Sequence, residues 1–208
     1  MASDTAQSKP ELGIWIRFWD LALAFGLLVA AFLWRQEKVV ELRGLADSSG
    51  VPGYFTGKHV LLDSYRGGYS FDTIRDHLRA FGEKGRDAYA HEFLPFQDVA
   101  MTLFLMTFLI LFILYATQSD RYHALGLPSW VRILLLLPPI LQFCFDVGEN
   151  FMLRSVIEMY PRLHPALIDN ASQCTQLKWA TIYVNALIVL GLGGYTLYQW
   201  LAGSQRKA

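Results

Sequence analysis

The chain has 208 residues, of which 53% are hydrophobic and only 17% charged, and its formal net charge is zero. This is too apolar for an ordinary soluble domain, and the balanced charge, with no concentrated basic stretch, argues against a nucleic-acid partner. Cys144 lies inside an apolar stretch and Cys174 just before another, so a disulfide framework is not expected.

Residues 1–11 carry Asp4 and Glu11 and lack a basic start or a cleavage pattern, so the first apolar stretch is read as an uncleaved anchor. Four apolar stretches follow, at about residues 14–34, 99–117, 131–153 and 177–201. Crossing a hydrocarbon core takes roughly 20 residues, and segments of that length satisfy their backbone groups in lipid as helices. The predicted fold is all-α: a single membrane domain over residues 1–208, built as a four-helix transmembrane bundle with a partly helical extramembrane loop at 35–98.

In chain order, Trp15, Trp19 and Trp34 bracket the first span, where interfacial tryptophans are favoured. Arg17 and Asp20, at i and i+3, are expected to pair near that interface, with Arg17 snorkelling. The loop 35–98 holds nine Lys/Arg and ten Asp/Glu, a near-neutral balance that suits a segment folded onto the bundle. Gly50, Pro52, Gly53 and Gly57 break the chain, and Arg66-Gly67-Gly68-Tyr69 reads as a turn. Ser70 or Asp72 can then cap a helix with an apolar stripe of Phe71, Ile74, Leu78 and Phe81, ended by Gly82. A second short helix is expected from near Arg86 towards Pro95, both helices lying on the membrane surface.

Asp120-Arg121-Tyr122 reads as a loop with an exposed charge pair, flanked by Tyr115 and Trp130. Pro138-Pro139 predicts a kink or unwound turn in the third span, since each proline removes a helical hydrogen bond. In the fourth, Trp179 and Trp200 are 21 residues apart, about 31 Å of helix, which matches the hydrocarbon thickness. Gly191, Gly193 and Gly194 suggest close helix packing, and Asn170-Ala171-Ser172 fits a glycosylation acceptor on the predicted outer side.

Orientation follows the Lys/Arg bias. Lys9, Arg17, Arg121, Arg132, Arg206 and Lys207 mark the end holding both termini, against Arg154, Arg162 and Lys178 in the loop between the last two spans. Cytoplasmic termini and an extracytoplasmic loop 35–98 are expected.

The functional lead is polar. Asp146, Glu149 and Asn150, at i, i+3 and i+4, share one helix face in the third span, and ionisable groups near lipid face a bundle interior or water. Asp98 at the start of the second span, and Lys178 and Asn185 in the fourth, come to the same level. His91 and Glu92 are expected to join from the last turn of the covering loop. Three readings suit this layer: polar glue, in which Lys178 pairs with Glu149 and Asn185 bonds Asp146; a proton-handling or ligand-binding pocket; and a metal site of His91, Glu92, Asp98, Asp146 and Glu149. The last lacks a His-x-x-x-His or Glu-x-x-His pair, so no metal is predicted. No Walker loop, zincin pattern or Gly-x-Ser-x-Gly elbow occurs, and no cofactor is predicted.

From Tyr69 to Trp179 the chain resembles a family of small four-span membrane proteins of unassigned function. The matching residues are Gly82, Gly85-Arg86, Tyr89, Asp98, Asp146-x-x-Glu149-Asn150 and Lys178-Trp179. They cover about half the chain, and the Asp-x-x-Glu-Asn element is the most specific of them. The resemblance implies the four-helix layout and implies that these polar positions belong together; it implies no reaction. The architecture is also similar to the four-span sterol-isomerase and sigma-2-receptor-like family, whose intramembrane carboxylates hold a cationic amine or carbocation. That family's histidine and glutamate pattern has no counterpart in the first two spans here, so the likeness is one of architecture.

Three functions are consistent with these residues. One is a non-catalytic accessory subunit or small-ligand binder, partnered by a membrane protein or a lipid-like ligand. Another is a membrane-embedded enzyme with isomerase- or lyase-type chemistry on a lipid-like substrate. In it Asp146 and Glu149 serve as acid and base, with Lys178 or Asn150 as electrostatic support. The third, a proton-coupled carrier, is disfavoured because one four-helix chain leaves little room for alternating access unless it oligomerises.

Overall fold

A computed structural model describes residues 16–56, 60–117 and 128–205. Helix α1 (Phe18–Ser49) leads, through a loop containing a short 3-10 turn at Leu62–Ser64, into α2 (Phe71–Ala88). A π-helical stretch, Tyr89–Asp98, joins α2 directly to α3 (Val99–Ala116), and α4 (Ser129–Glu158) and α5 (Pro165–Gln205) complete the chain. No strand occurs among the described residues. Four helical stretches are long and apolar enough to cross a membrane, and the protein is a multi-pass helical membrane protein.

Helix α1 is 32 residues long, about 48 Å, so it outruns a hydrocarbon core of about 30 Å. Arg35 therefore begins no loop; the helix continues beyond Trp34 to Ser49. This second half joins the covering segment in an apolar cap. Leu42 and Ala46 of α1 pack with Phe55, Leu61, Leu62, Ile74, Leu78, Phe81, Tyr89 and Phe93, and with Leu153, Val156 and Ile168 from the adjoining ends of α4 and α5.

Helix α2 forms as its sequence predicts. Ser70 Oγ accepts the Thr73 backbone N–H at 3.2 Å, and Ile74, Leu78 and Phe81 are fully buried. Gly82 interrupts it with φ +65° and ψ −176°. This glycine is required by close approach as well as by conformation: an added Cβ would lie 2.1 Å from the Ser49 carbonyl oxygen, and one on Gly50 would lie 1.8 Å from that of Ala80. There α1 and α2 meet backbone to backbone, bonded by Val51 N–H to the Ala80 carbonyl at 3.0 Å.

Three local expectations need correction. The second helix, expected from near Arg86 towards Pro95, begins directly after the break at Gly82 and is no short separate element: it widens into the π-helical stretch, accommodates Pro95 and runs into α3 without a loop. Pro138 and Pro139 lie inside α4, which stays helical through them where an unwound turn is one expectation. Arg17 does not meet Asp20 through its guanidinium; its backbone N–H donates to Asp20 Oδ2 at 2.7 Å, capping α1. Trp15, Gly57, the Asp120-Arg121-Tyr122 loop and the terminal Lys9, Arg206 and Lys207 lie outside the described residues.

Candidate functional site: a buried ion cluster beneath the cap

Helical spacing assembles the cluster. On α4, Gln142, Asp146, Glu149 and Asn150 follow i, i+4, i+7, i+8, one stripe turned into the bundle. Helix α5 supplies Thr175 and Lys178 one turn apart, and Asp98 and Thr102 flank the junction of the π-helical stretch with α3. Two members come from elsewhere: Arg35 from the middle of α1, and Asp63 from the 3-10 turn of the cover.

The contacts are short and reciprocal. Lys178 Nζ lies 2.6 Å from Glu149 Oε2, 2.9 Å from Asp146 Oδ1 and 3.6 Å from Asp63 Oδ2. Arg35 bridges the other side, with Nη2 2.7 Å from Asp63 Oδ2 and Nε 2.7 Å from Asp98 Oδ1. The four carboxylates outnumber the two cations, and neutral donors take up the remaining oxygens. Thr102 Oγ1 donates to Asp146 Oδ2 at 2.6 Å, Asn150 Nδ2 to Asp98 Oδ2 at 2.8 Å, and Thr175 Oγ1 to Glu149 Oε1. Glu149 is 0% exposed, Asp98 2%, Asp146 3% and Lys178 4%, so these four are closed off from solvent, whereas Asp63 at 9% and the half-buried Arg35 lie at the edge of the cluster.

The cover is bonded to the cluster from above. Trp179 Nε1 donates to the Asp63 carbonyl at 3.0 Å, and the Tyr69 N–H donates to Ser172 Oγ at 2.9 Å. Burial pushes the Asp63 carboxyl up, but Lys178 and Arg35 outweigh it and hold the group below the usual carboxylate range. Burial, and then the neighbouring Glu149, push the Tyr69 hydroxyl well up, which keeps it neutral.

Of the residues singled out in the sequence, Asp98, Asp146, Glu149, Asn150 and Lys178 meet here. Asn185 does not bond Asp146; its Nδ2 donates to Gln142 Oε1 at 2.7 Å, a separate buried pair deeper in the bundle. His91 and Glu92 are exposed outside the layer, and His91 faces Asp87 at 3.6 Å and Glu158 at 3.9 Å. Both lie in the π-helical stretch Tyr89–Asp98, on its exposed side, while Phe93, Leu94, Gln97 and Asp98 of the same stretch are buried. Sequence reasoning missed Arg35, Asp63, Thr102, Thr175 and Gln142. The threonines were recoverable at one turn from Asp98 and Lys178, and Arg35 as a lone cation just past Trp34; the position of Asp63 in a loop gave no signal.

Oxygens of Asp63, Asp98 and Asp146 lie within 4.8 Å of one another, a spacing that can hold a cation. They do not fit a metal ion here, because the Arg35 guanidinium and the Lys178 ammonium already occupy their facing sides. Cys144 and Cys174 are free thiols. Ser172, third residue of the glycosylation pattern, is buried and accepts the Tyr69 amide, which ties that stretch into the fold.

Comparisons with protein-family models, with curated proteins and with solved structures give no match.

Proposed function

We propose that the chain is a non-catalytic accessory subunit of the membrane, in which the ion cluster clamps the extracytoplasmic cap onto four spans and presents the assembly to a membrane-protein partner. The observation that carries this reading is the sealing of the cluster. Its carboxylates are each engaged by a cation or a neutral donor, and Asp98, Asp146 and Glu149 are almost wholly buried, which supports a structural use of Asp146 and Glu149. Acid–base chemistry on a lipid-like substrate needs a group within hydrogen-bond reach of the reacting atom, whereas the oxygens of Asp146 and Glu149 are engaged by Lys178, Thr102 and Thr175.

Charge-neutral Asp146→Asn and Glu149→Gln separate the two readings. A clamp predicts lower yield and an earlier thermal transition in detergent for both variants. If both purify with unchanged size-exclusion profiles and melting temperatures, the clamp reading is wrong and the membrane-enzyme reading gains. Orientation belongs to the same proposal. Lys178 is consumed by the cluster, which leaves Arg154 and Arg162 as the loop cations opposite the termini; this favours cytoplasmic ends and an extracytoplasmic cap.

A further inference from the structure

Beside the cluster, on the outer face of the cap, a cavity of about 550 Å³ is lined by Ser64, Tyr65, Arg66, Gly67, Gly68 and Trp179. That volume falls in the range of roughly 300–1,000 Å³ typical of small-ligand sites. Its one lining cation is Arg66, which has no carboxylate within ion-pair distance among the described residues and is held with its guanidinium 4.9 Å above the Trp179 ring. Among the described residues no acidic side chain lines the cavity. Asp63, the chain neighbour of Ser64, is held in the cluster by Arg35 and Lys178.

The backbone is suited to an anion as well. Gly68 N–H bonds the Tyr65 carbonyl at 2.8 Å, closing a turn whose own bond leaves the Arg66 and Gly67 amides unused. Gly68 has φ +78°, and an added Cβ would meet Ser172 Oγ at 2.3 Å, so the turn is seated against α5 in one position. Trp179, its indole N–H bonded to the Asp63 carbonyl, opens the apolar part of α5 and is of a residue type favoured at membrane interfaces.

We propose that this cavity binds a phosphate ester, and that its natural source is the headgroup of an anionic phospholipid at the outer interface. The argument is geometric and chemical. A planar guanidinium matches phosphate oxygens in bidentate fashion, and its position over an aromatic face fixes the fork at low entropic cost. The same placement disfavours a choline headgroup, because the ring face that would receive a quaternary ammonium is covered by Arg66. The site is distinct from the clamp: none of its lining residues is one of the cluster's ionic groups, although Ser64 and Trp179 both hydrogen-bond Asp63 at its edge.

The test is native mass spectrometry of the full chain, released from detergent and titrated with phosphatidylglycerol or phosphatidylcholine. The variants are Arg66→Gln and, as a charge-matched control on exposed α1, Arg43→Gln. The expected result is preference for phosphatidylglycerol by about tenfold, the size of one charge-assisted interaction, lost in Arg66→Gln and kept in Arg43→Gln. Equal binding of the two lipids by the parent, or an Arg66→Gln variant that binds as the parent does, overturns the proposal. A third arm adds glycerol 3-phosphate as competitor. Failure to displace the lipid supports the headgroup as the source, whereas displacement at matched concentration overturns that part and assigns the Arg66 site to a soluble phosphate ester. Melting temperatures of both variants equal to the parent's separate this outcome from failure of the clamp.

Discussion

In the cap, Phe55, Ile74, Leu78 and Phe81 are completely buried, whereas in the membrane half Leu187 and Leu190 are 69% and 72% exposed. The same residue type thus serves opposite purposes in the two regions. The cap folds as a water-soluble domain does, by removing apolar surface from water. The spans leave apolar surface outward to lipid, where burial against another apolar side chain offers no hydrophobic gain, so cohesion between them relies on packing and polar contacts. The ion cluster sits at the boundary and draws one or more members from each half. It is where a core of one kind is joined to a core of the other.

The comparison is broken most directly at Lys178. Lys178→Met leaves four carboxylates sealed with Arg35 alone, and removing one partner of a buried ionic set costs roughly 3–5 kcal/mol. The expected outcome is aggregation or loss of the monodisperse peak in detergent; a variant that melts with the parent would contradict the role given to the cluster. A paired substitution sharpens the contrast between halves. Leu78→Ala, in the cap, is expected to cost about 2–5 kcal/mol, while Leu190→Ala, on the lipid face, should stay within about 0.5 kcal/mol. Equal shifts in thermal unfolding would show that the two halves are not built on different terms.

Gly82→Ala probes the seam between α1 and α2. Its positive φ and the Ser49 carbonyl beside it predict a cost of about 1–3 kcal/mol, read as faster amide exchange over Phe71–Ala88, with the lower spans unchanged. Exchange identical to the parent's would remove the backbone-contact argument. The smallest effect concerns pH. Asp63 is held below its ordinary range in the folded chain, so its contribution is complete above about pH 4 and disappears as pH falls through the folded value. The stability gap between the parent and Asp63→Asn is therefore expected to be constant from neutral pH to about pH 4 and to narrow below it. A gap that widens on acidification has the wrong sign for this account.

Much of this arrangement was legible in the chain. The predicted span 99–117 matches α3 at Val99–Ala116, because an uninterrupted apolar run has no other stable form in lipid. The stripe through Ile74, Leu78 and Phe81 identified α2 because amphipathic spacing is a local property. The face carrying Asp146, Glu149 and Asn150 could be read for the same reason. What was not legible depends on tertiary partners. Hydropathy stops at Trp34, but α1 continues because the cap buries Leu42 and Ala46. Arg35 and Asp63 acquire meaning only from each other, 28 residues apart in sequence. His91 and Glu92 are assigned inward by proximity in sequence, whereas they lie on the exposed side of the π-helical stretch.

The order in which ribosomes make this chain gives the placement of Lys178 a further consequence. Arg35, Asp63, Asp98, Asp146 and Glu149 all precede it, so during synthesis the acids are gathered before their second counter-charge exists. Until α5 enters the bilayer, an incomplete product has Arg35 as the one counter-charge to the four acids, and Lys178 joins them only with the last helix. A chain that ends between Glu149 and Lys178 therefore carries one formal negative charge more at this site than the finished protein.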